Sequence, residues 1–216
     1  MNSQPFHLDI SDSLGAVSAE LIIGTQTNAI MTLAHGAGAG MNHPFMVSLA
    51  KALAALNIAT LRFNFLYMEQ KKKRPDLPAV AHKAVEAAIK KAHQLFPETP
   101  LFVSGKSFGG RMSSQFLAEH PLTFVNGIVF VGFPLHPAGK PSTERAVHLK
   151  NIIIPMLFLQ GTRDELAEWA LIEQVTEGLP LATLDALEGA DHAFKAGKQN
   201  LIPVIAERIQ QWIGDR

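Results

Sequence analysis

The sequence predicts an α/β protein, a three-layer α/β/α sandwich built on a mostly parallel, doubly wound sheet. Two observations carry this. Short apolar runs alternate with amphipathic segments along nearly the whole chain, with Gly and Pro marking the boundaries. Several of the apolar runs are continuous, as in Ile128-Val129-Phe130-Val131, which is the pattern of a strand covered on both faces by helices. The length of 216 residues is enough for one large core, since a chain of this size buries roughly 70% of its unfolded surface. One domain, 1–216, is expected.

Each element follows from local pattern. Phe6 to Ile10 and Val17 to Gly24 alternate loosely and suggest an antiparallel strand pair. Ala29 to Ala34 is an apolar run ending in glycines, a strand. His43 to Leu56 spaces Met46, Leu49, Ala50 and Leu53 at helical intervals. Ile58 to Phe65 reads as the next strand, followed by a polar loop and a helix from Pro78 to Phe96, in which Val80, Ala84, Ala88 and Ala92 recur every fourth residue. Leu101 to Ser104 is a buried strand, Ser107 to His120 a helix and Val125 to Val131 another buried strand. The alternation continues through Ile152 to Gln160, Leu166 to Glu177, Ala182 to Leu187 and Gln199 to Ile213.

Composition excludes several functions. The absence of cysteine removes a disulfide framework, a thiolate metal site and a catalytic cysteine. Lys+Arg and Asp+Glu balance at 19 each, which argues against a chain built to coat nucleic acid or an anionic membrane. The apolar stretches Gly127 to Leu135 and Ile152 to Leu159 are far shorter than the roughly 18 residues a spanning helix needs. Met1 to Ile10 shows neither a secretory signal nor an Arg-rich transit peptide, so the default location is the cytoplasm. The basic run Lys71 to Arg74 reads as a solvated loop.

Three Gly-rich segments compete to carry chemistry. Gly105-Lys106-Ser107 resembles the end of a phosphate-binding loop, but Pro100 stands where that motif needs its first glycine. A dinucleotide fingerprint read from Gly36 would need a third glycine at position 41, which is Met41. Gly105-Lys106-Ser107-Phe108-Gly109 does fit: it is a G-x-S-x-G between a strand and a helix, where a nucleophile sits in a strained turn and only small residues let the chains pass. The helix N-terminus beside Ser107 favours an anion forming there.

A serine hydroxyl needs a base to take its proton and a third group to hold that base. His192, in Gly189-Ala190-Asp191-His192-Ala193-Phe194, follows the last expected strand, at the sheet edge where active sites of open α/β folds collect. Asp164 follows the strand Ile152 to Gln160 in the same way. It could instead cap the Leu166 helix, leaving Glu165 or Asp191 as the acid. The chain order Ser107, Asp164, His192 is that of the α/β-hydrolases.

With the His35-Gly36 turn, these motifs resemble the α/β-hydrolase superfamily over nearly the whole chain. More narrowly, Gly105-Lys106-Ser107-Phe108-Gly109-Gly110-Arg111, Phe133-Pro134-Leu135-His136-Pro137 and Phe158-Leu159-Gln160-Gly161-Thr162-Arg163-Asp164 are similar to small, lid-free, dienelactone-hydrolase-like proteins. Within these the chain resembles the hydrolase-like domain shared by testis-expressed protein 30 and the third subunit of the NSL histone acetyltransferase complex. The resemblance implies a serine hydrolase acting on an ester or thioester, with Ser107, Asp164 and His192 catalytic and the backbone N–H groups of Phe108 and Ala37 forming the oxyanion hole. It calls for no metal and no cofactor. The expected partner is a small-molecule substrate, not nucleic acid or membrane, and a homodimer stays open. A non-catalytic scaffold used for protein contacts is the alternative.

The remaining candidates lie near the expected cleft. His35, Gly36, Arg62, Asn64 and His136 are placed as pocket residues, although His35 also suits a backbone hydrogen bond in its turn and Arg62 an ion pair holding a loop. Lys106 and Arg111 are expected to serve the surroundings of the elbow. The family has proline where this chain has Leu66, which leaves the path of that loop open. About twenty residues between Val131 and Ile152 leave room for a loop and a short helix but no cap domain, so the cleft should be open.

Overall fold

The computed structural model describes residues 1–216. The chain begins with an antiparallel hairpin, β1 (Asn2–Ser11) and β2 (Gly15–Ile23), followed by β3 (Ala29–Ala34), α1 (Pro44–Ala55), β4 (Ile58–Phe63), the one-turn α2 (Leu66–Glu69) and α3 (Pro78–Leu95). Then come β5 (Leu101–Lys106), α4 (Phe108–Glu119), β6 (Val125–Val131), a 3-10 helix at Glu144–Asn151, β7 (Met156–Gly161), α5 (Trp169–Glu177) and β8 (Ala182–Leu187). A small hairpin, β9 (Lys195–Ala196) with β10 (Gln199–Asn200), leads into α6 (Ile202–Gly214).

Eight strands form one sheet in the order β1-β2-β4-β3-β5-β6-β7-β8. β2 pairs antiparallel with β4, and every pairing from β4 to β8 is parallel. Two cores flank the sheet. The inward faces of α3, α4 and α5 pack on one side with Ile30, Ile128 and Phe130, while α1 and α6 pack on the other with Met31, Leu33, Val129 and Val131. Alternate residues of the same strand therefore bury in opposite cores, which is why these strands read as continuous apolar runs. This is the three-layer α/β/α sandwich the sequence predicts, with no cap domain: the β6–β7 connection holds only a loop and the 3-10 helix. No helix is long and apolar enough to cross a membrane.

Several boundaries differ from expectation for local reasons. β7 starts at Met156 rather than Ile152, because Pro155 has no N–H to give the ladder and the Ile153 side chain is exposed. β4 ends at Phe63, and the expected polar loop contains α2, whose Leu66 and Tyr67 are buried. Leu66 begins that turn. The last helix starts at Ile202 because Gln199 and Asn200 pair with β9 across a turn at Gly197.

The topology places a site. From β3 the chain crosses through α1 to β4 on one side, whereas from β5 it crosses through α4 to β6 on the other. The loops after β3 and β5 thus diverge and open a crevice at the carboxyl edge of adjacent strands, the position where open α/β sheets bind ligands.

Candidate active site

Ser107 alone makes the turn between β5 and α4, with φ 49° and ψ −115°. A non-glycine residue held at positive φ costs roughly 1–3 kcal/mol, which the surrounding contacts must sustain. They do so by close approach: a Cβ on Gly105 would lie 2.3 Å from the Gly110 nitrogen, and one on Gly109 would lie 2.5 Å from the Ala34 carbonyl oxygen. Both glycines of the motif are therefore dictated by packing, and the turn leaves Ser107 on the cleft wall.

His192 stands in a tight turn after β8. The Phe194 N–H donates to the Asp191 carbonyl at 2.9 Å, and the Lys195 N–H donates to Asp191 Oδ1 at 2.8 Å. Asp191 is thereby engaged in closing the turn, and Glu165 is exposed. Asp164 is the carboxylate that reaches the histidine. His192 Nδ1 lies 2.7 Å from Asp164 Oδ2, and His192 Nε2 lies 2.8 Å from Ser107 Oγ. Asp164 Oδ1 also accepts the Leu166 N–H at 2.8 Å, so the capping role and the histidine contact are filled by one side chain.

This arrangement assigns the protons. With Asp164 as acceptor, the neutral imidazole carries its hydrogen on Nδ1 and leaves Nε2 to accept from the Ser107 hydroxyl. The Asp164 side chain is only 1% exposed, yet three donors surround it: His192, the Leu166 N–H and Gln160 Nε2 at 2.6 Å. Burying a carboxylate calls for such partners, and each of these donors meets one of its oxygens. On the other side of Ser107, the backbone N–H groups of Phe108 and Ala37 have no acceptor within the protein. The neighbouring Gly38 N–H is occupied, donating to the Tyr67 hydroxyl at 2.9 Å.

The cleft above these groups has a volume of about 350 Å³ and is lined by Gly36, Ala37, Ala39, His43, Met46, Lys106, Leu166 and Ala193 together with Ser107 and His192. No group of three or more His, Asp or Glu side chains is placed to hold a metal ion. Residues 27–211 match the family described as an alpha/beta hydrolase domain. The chain belongs to that family.

Solved structures share the fold of this hydrolase domain. An alpha-beta serine hydrolase homologue from Coxiella burnetii superimposes with a TM-score of 0.78 at 19% identity, covering 99% of this chain and 98% of the other. A serine hydrolase without lid from Xanthomonas campestris gives 0.77 at 18% identity, covering 100% and 95%. A dienelactone hydrolase from Anabaena variabilis gives 0.77 at 18% identity, covering 100% and 99%.

Of the five expected pocket residues, only Gly36 lines the cleft of this hydrolase domain. His35 is fully buried. Its Nε2 accepts the Phe65 N–H at 3.1 Å and its Nδ1–H donates to the Gly36 carbonyl at 2.8 Å, so it joins the loops after β3 and β4, and burial lowers its pKa to about 4. Arg62 is 1% exposed and pairs with Glu20 and the Met41 carbonyl, which leaves its guanidinium no path to a substrate. Asn64 accepts the Met41 N–H at 2.9 Å and donates to Glu69. These side chains fix the loop that carries the Ala37 N–H. His136 is also buried, accepting the Glu168 N–H at 3.1 Å and so bracing the loop that carries Asp164.

Two residues with a part in the site were not singled out by sequence. Gln160 is fully buried at the end of β7, its Oε1 accepting the Phe133 N–H while its Nε2 serves Asp164. A glutamine within an apolar strand, four residues before an acid, is the available signal. Tyr67 had none, because its partner Gly38 is remote in sequence.

Proposed function

We propose that residues 1–216 act as one serine hydrolase domain cleaving a carboxylic ester or thioester through an acyl-enzyme. The observation that carries this reading is the unbroken hydrogen-bonded series from Ser107 Oγ through His192 to a buried, fully satisfied Asp164. Family membership and the fold shared with proteins described as serine hydrolases support it.

In the proposed mechanism Ser107 Oγ attacks the acyl carbonyl while His192 Nε2 takes its proton. Asp164 holds the imidazole in the Nδ1–H tautomer and stabilises the imidazolium. The oxygen of the tetrahedral intermediate gains negative charge and is met by the free N–H groups of Phe108 and Ala37, the first of which begins α4 and carries the positive end of its dipole. His192 then returns the proton to the departing alcohol or thiol. Water, activated by the same imidazole, releases the acyl group. Met46, Leu166 and the small residues Ala37, Ala39 and Ala193 give the cleft a mainly apolar lining, and no cap covers it. Those features suit a small acyl group, or an acyl group carried on a larger partner.

The test is covalent labelling by a fluorophosphonate. Wild type should be labelled at Ser107, and Ser107→Ala should lose labelling and lower turnover by roughly a millionfold with its circular dichroism unchanged. Folded wild-type protein that resists the probe would instead favour the non-catalytic scaffold.

A further inference from the structure

Lys106, between the strand and the nucleophile, is a charged side chain in an apolar setting. Its Nζ donates to the His192 carbonyl oxygen at 2.7 Å. The same ammonium lies 4.6 Å from the centroid of the Phe194 ring and 5.2 Å from that of Phe45, and these two rings stack with centroids 5.8 Å apart. No carboxylate lies within salt-bridge distance of it. The titratable groups that face it are Asp164 from the loop after β7, Asp191 and His192 from the loop after β8, and His43 at the start of α1.

Two roles are open to a lysine at a cleft wall: holding an anionic substrate, or holding protein. The surroundings decide between them. The ammonium already donates to a carbonyl oxygen and lies over two aromatic faces, and both rings attract it only while it is charged. What the contact secures also matters. The turn carrying His192 contains Phe194 at φ 62°, a conformation that β-carbon-bearing residues adopt at a cost, so the turn needs external support. Lys106 supplies it from the residue next to the nucleophile, which ties the general base to the elbow through a single side chain.

We propose that Lys106 is a positioning residue that, as the ammonium, holds the His192 turn so that Nε2 stays on Ser107 Oγ. This rests on the serine hydrolase reading. Burial lowers the lysine's pKa from 10.5 to about 8, with Asp164 and Asp191 opposing the shift, so the hold weakens as pH rises through that value. Above it the amine loses its attraction to the rings and donates only a weak bond to the carbonyl.

The experiment compares wild type, Lys106→Met and Lys106→Arg with a soluble chromogenic acetate ester and a fluorophosphonate. Lys106→Met removes donor and charge, and should lower kcat about tenfold to a hundredfold with KM within about twofold, the loss expected for one charge-assisted hydrogen bond. Lys106→Arg keeps both and should recover most of kcat. Wild-type kcat should fall through an alkaline limb near pH 8 that is missing from Lys106→Arg, because a guanidinium stays charged. A merely structural lysine would not make the limb follow side-chain chemistry. Lys106→Met with wild-type kcat, or an alkaline limb unchanged in Lys106→Arg, overturns the proposal. Should Lys106→Met fail to fold by circular dichroism, the alkaline limb of wild type against Lys106→Arg decides. Labelling separates this reading from its parent: unlabelled wild type removes the hydrolase and the positioning role together, whereas equal labelling rates in wild type and folded Lys106→Met remove Lys106 alone.

Discussion

Replacing Gln160 by Glu changes one NH₂ into an oxygen at the back of the candidate site, and its effect can be worked out from a single distance. Gln160 Nε2 lies 2.6 Å from Asp164 Oδ2. In Gln160→Glu two carboxylate oxygens would face each other across that gap. With an effective dielectric constant of about 20 their repulsion is about 6 kcal/mol. Keeping one carboxyl protonated at pH 7 costs less, about 4 kcal/mol from an ordinary glutamate pKa of about 4.3. The pair should therefore take up one proton, and the introduced carboxyl would donate an O–H to Asp164 where Gln160 donates an N–H. The folded state then binds a proton that the unfolded state lacks above about pH 4.3, so the variant loses stability as pH rises. Relative to wild type it should be about 4 kcal/mol less stable at pH 7, about 1 kcal/mol less stable at pH 5, with a change of about 1.4 kcal/mol per pH unit between. Urea unfolding of both proteins at pH 5, 6 and 7 measures the difference, in which contributions from all other groups cancel. A difference that stays constant with pH would show that the side chain at position 160 does not donate to Asp164, and the account of how the acid is held would fail.

Other consequences follow from the same geometry. Gly109→Ala would push a Cβ to 2.5 Å from the Ala34 carbonyl oxygen, so it should cost about 3 kcal/mol or more and lower the urea midpoint sharply; a midpoint near wild type would mean that the elbow has room the contacts deny. Asp164→Asn should leave the hydrogen on the wrong imidazole nitrogen and lower kcat by about ten-thousandfold in steady-state assays, with loss of under tenfold refuting the tautomer assignment. His35, neutral in the folded state with a pKa of about 4, binds a proton on unfolding at pH values between about 4 and 6.5. The stability it contributes is complete above about pH 6.5 and is lost as pH falls towards 4, by about 3 kcal/mol in all. Its ring signals in NMR should stay unchanged between pH 5 and 7.5, and a midpoint near 6.5 would contradict its burial.

Much of the fold was legible because burial on both sides of a parallel sheet leaves a local trace. Ile128, Val129, Phe130 and Val131 must all be apolar, since alternate side chains enter different cores. The elbow was legible for a similar reason: Gly105 and Gly109 record two backbone approaches too close for any Cβ. The last strand and α6 were separated less well, because the β9–β10 hairpin is short and its residues carry no apolar period. Nor could residues at strand ends be told apart by type. Arg62 and Asn64 end or follow β4 near the crevice, but whether such a side chain turns towards solvent, substrate or a neighbouring loop depends on partners from other parts of the chain.

The sequence by itself determined the layered architecture, the turn that exposes Ser107 and the strand-end positions of Asp164 and His192, since each is encoded in residues adjacent along the chain. Only the tertiary structure showed which of Asp164, Glu165 and Asp191 meets the histidine, because that depends on which oxygen comes to 2.7 Å from His192 Nδ1 once β7 and β8 are paired. It also decided that His35, Arg62, Asn64 and His136 brace loops rather than line the cleft, and that Tyr67 and Lys106 bond to backbone groups remote in sequence. A hydrogen bond between residues tens of positions apart leaves no spacing to read: it forms when folding brings donor and acceptor together, and its geometry is set by the packing of everything between.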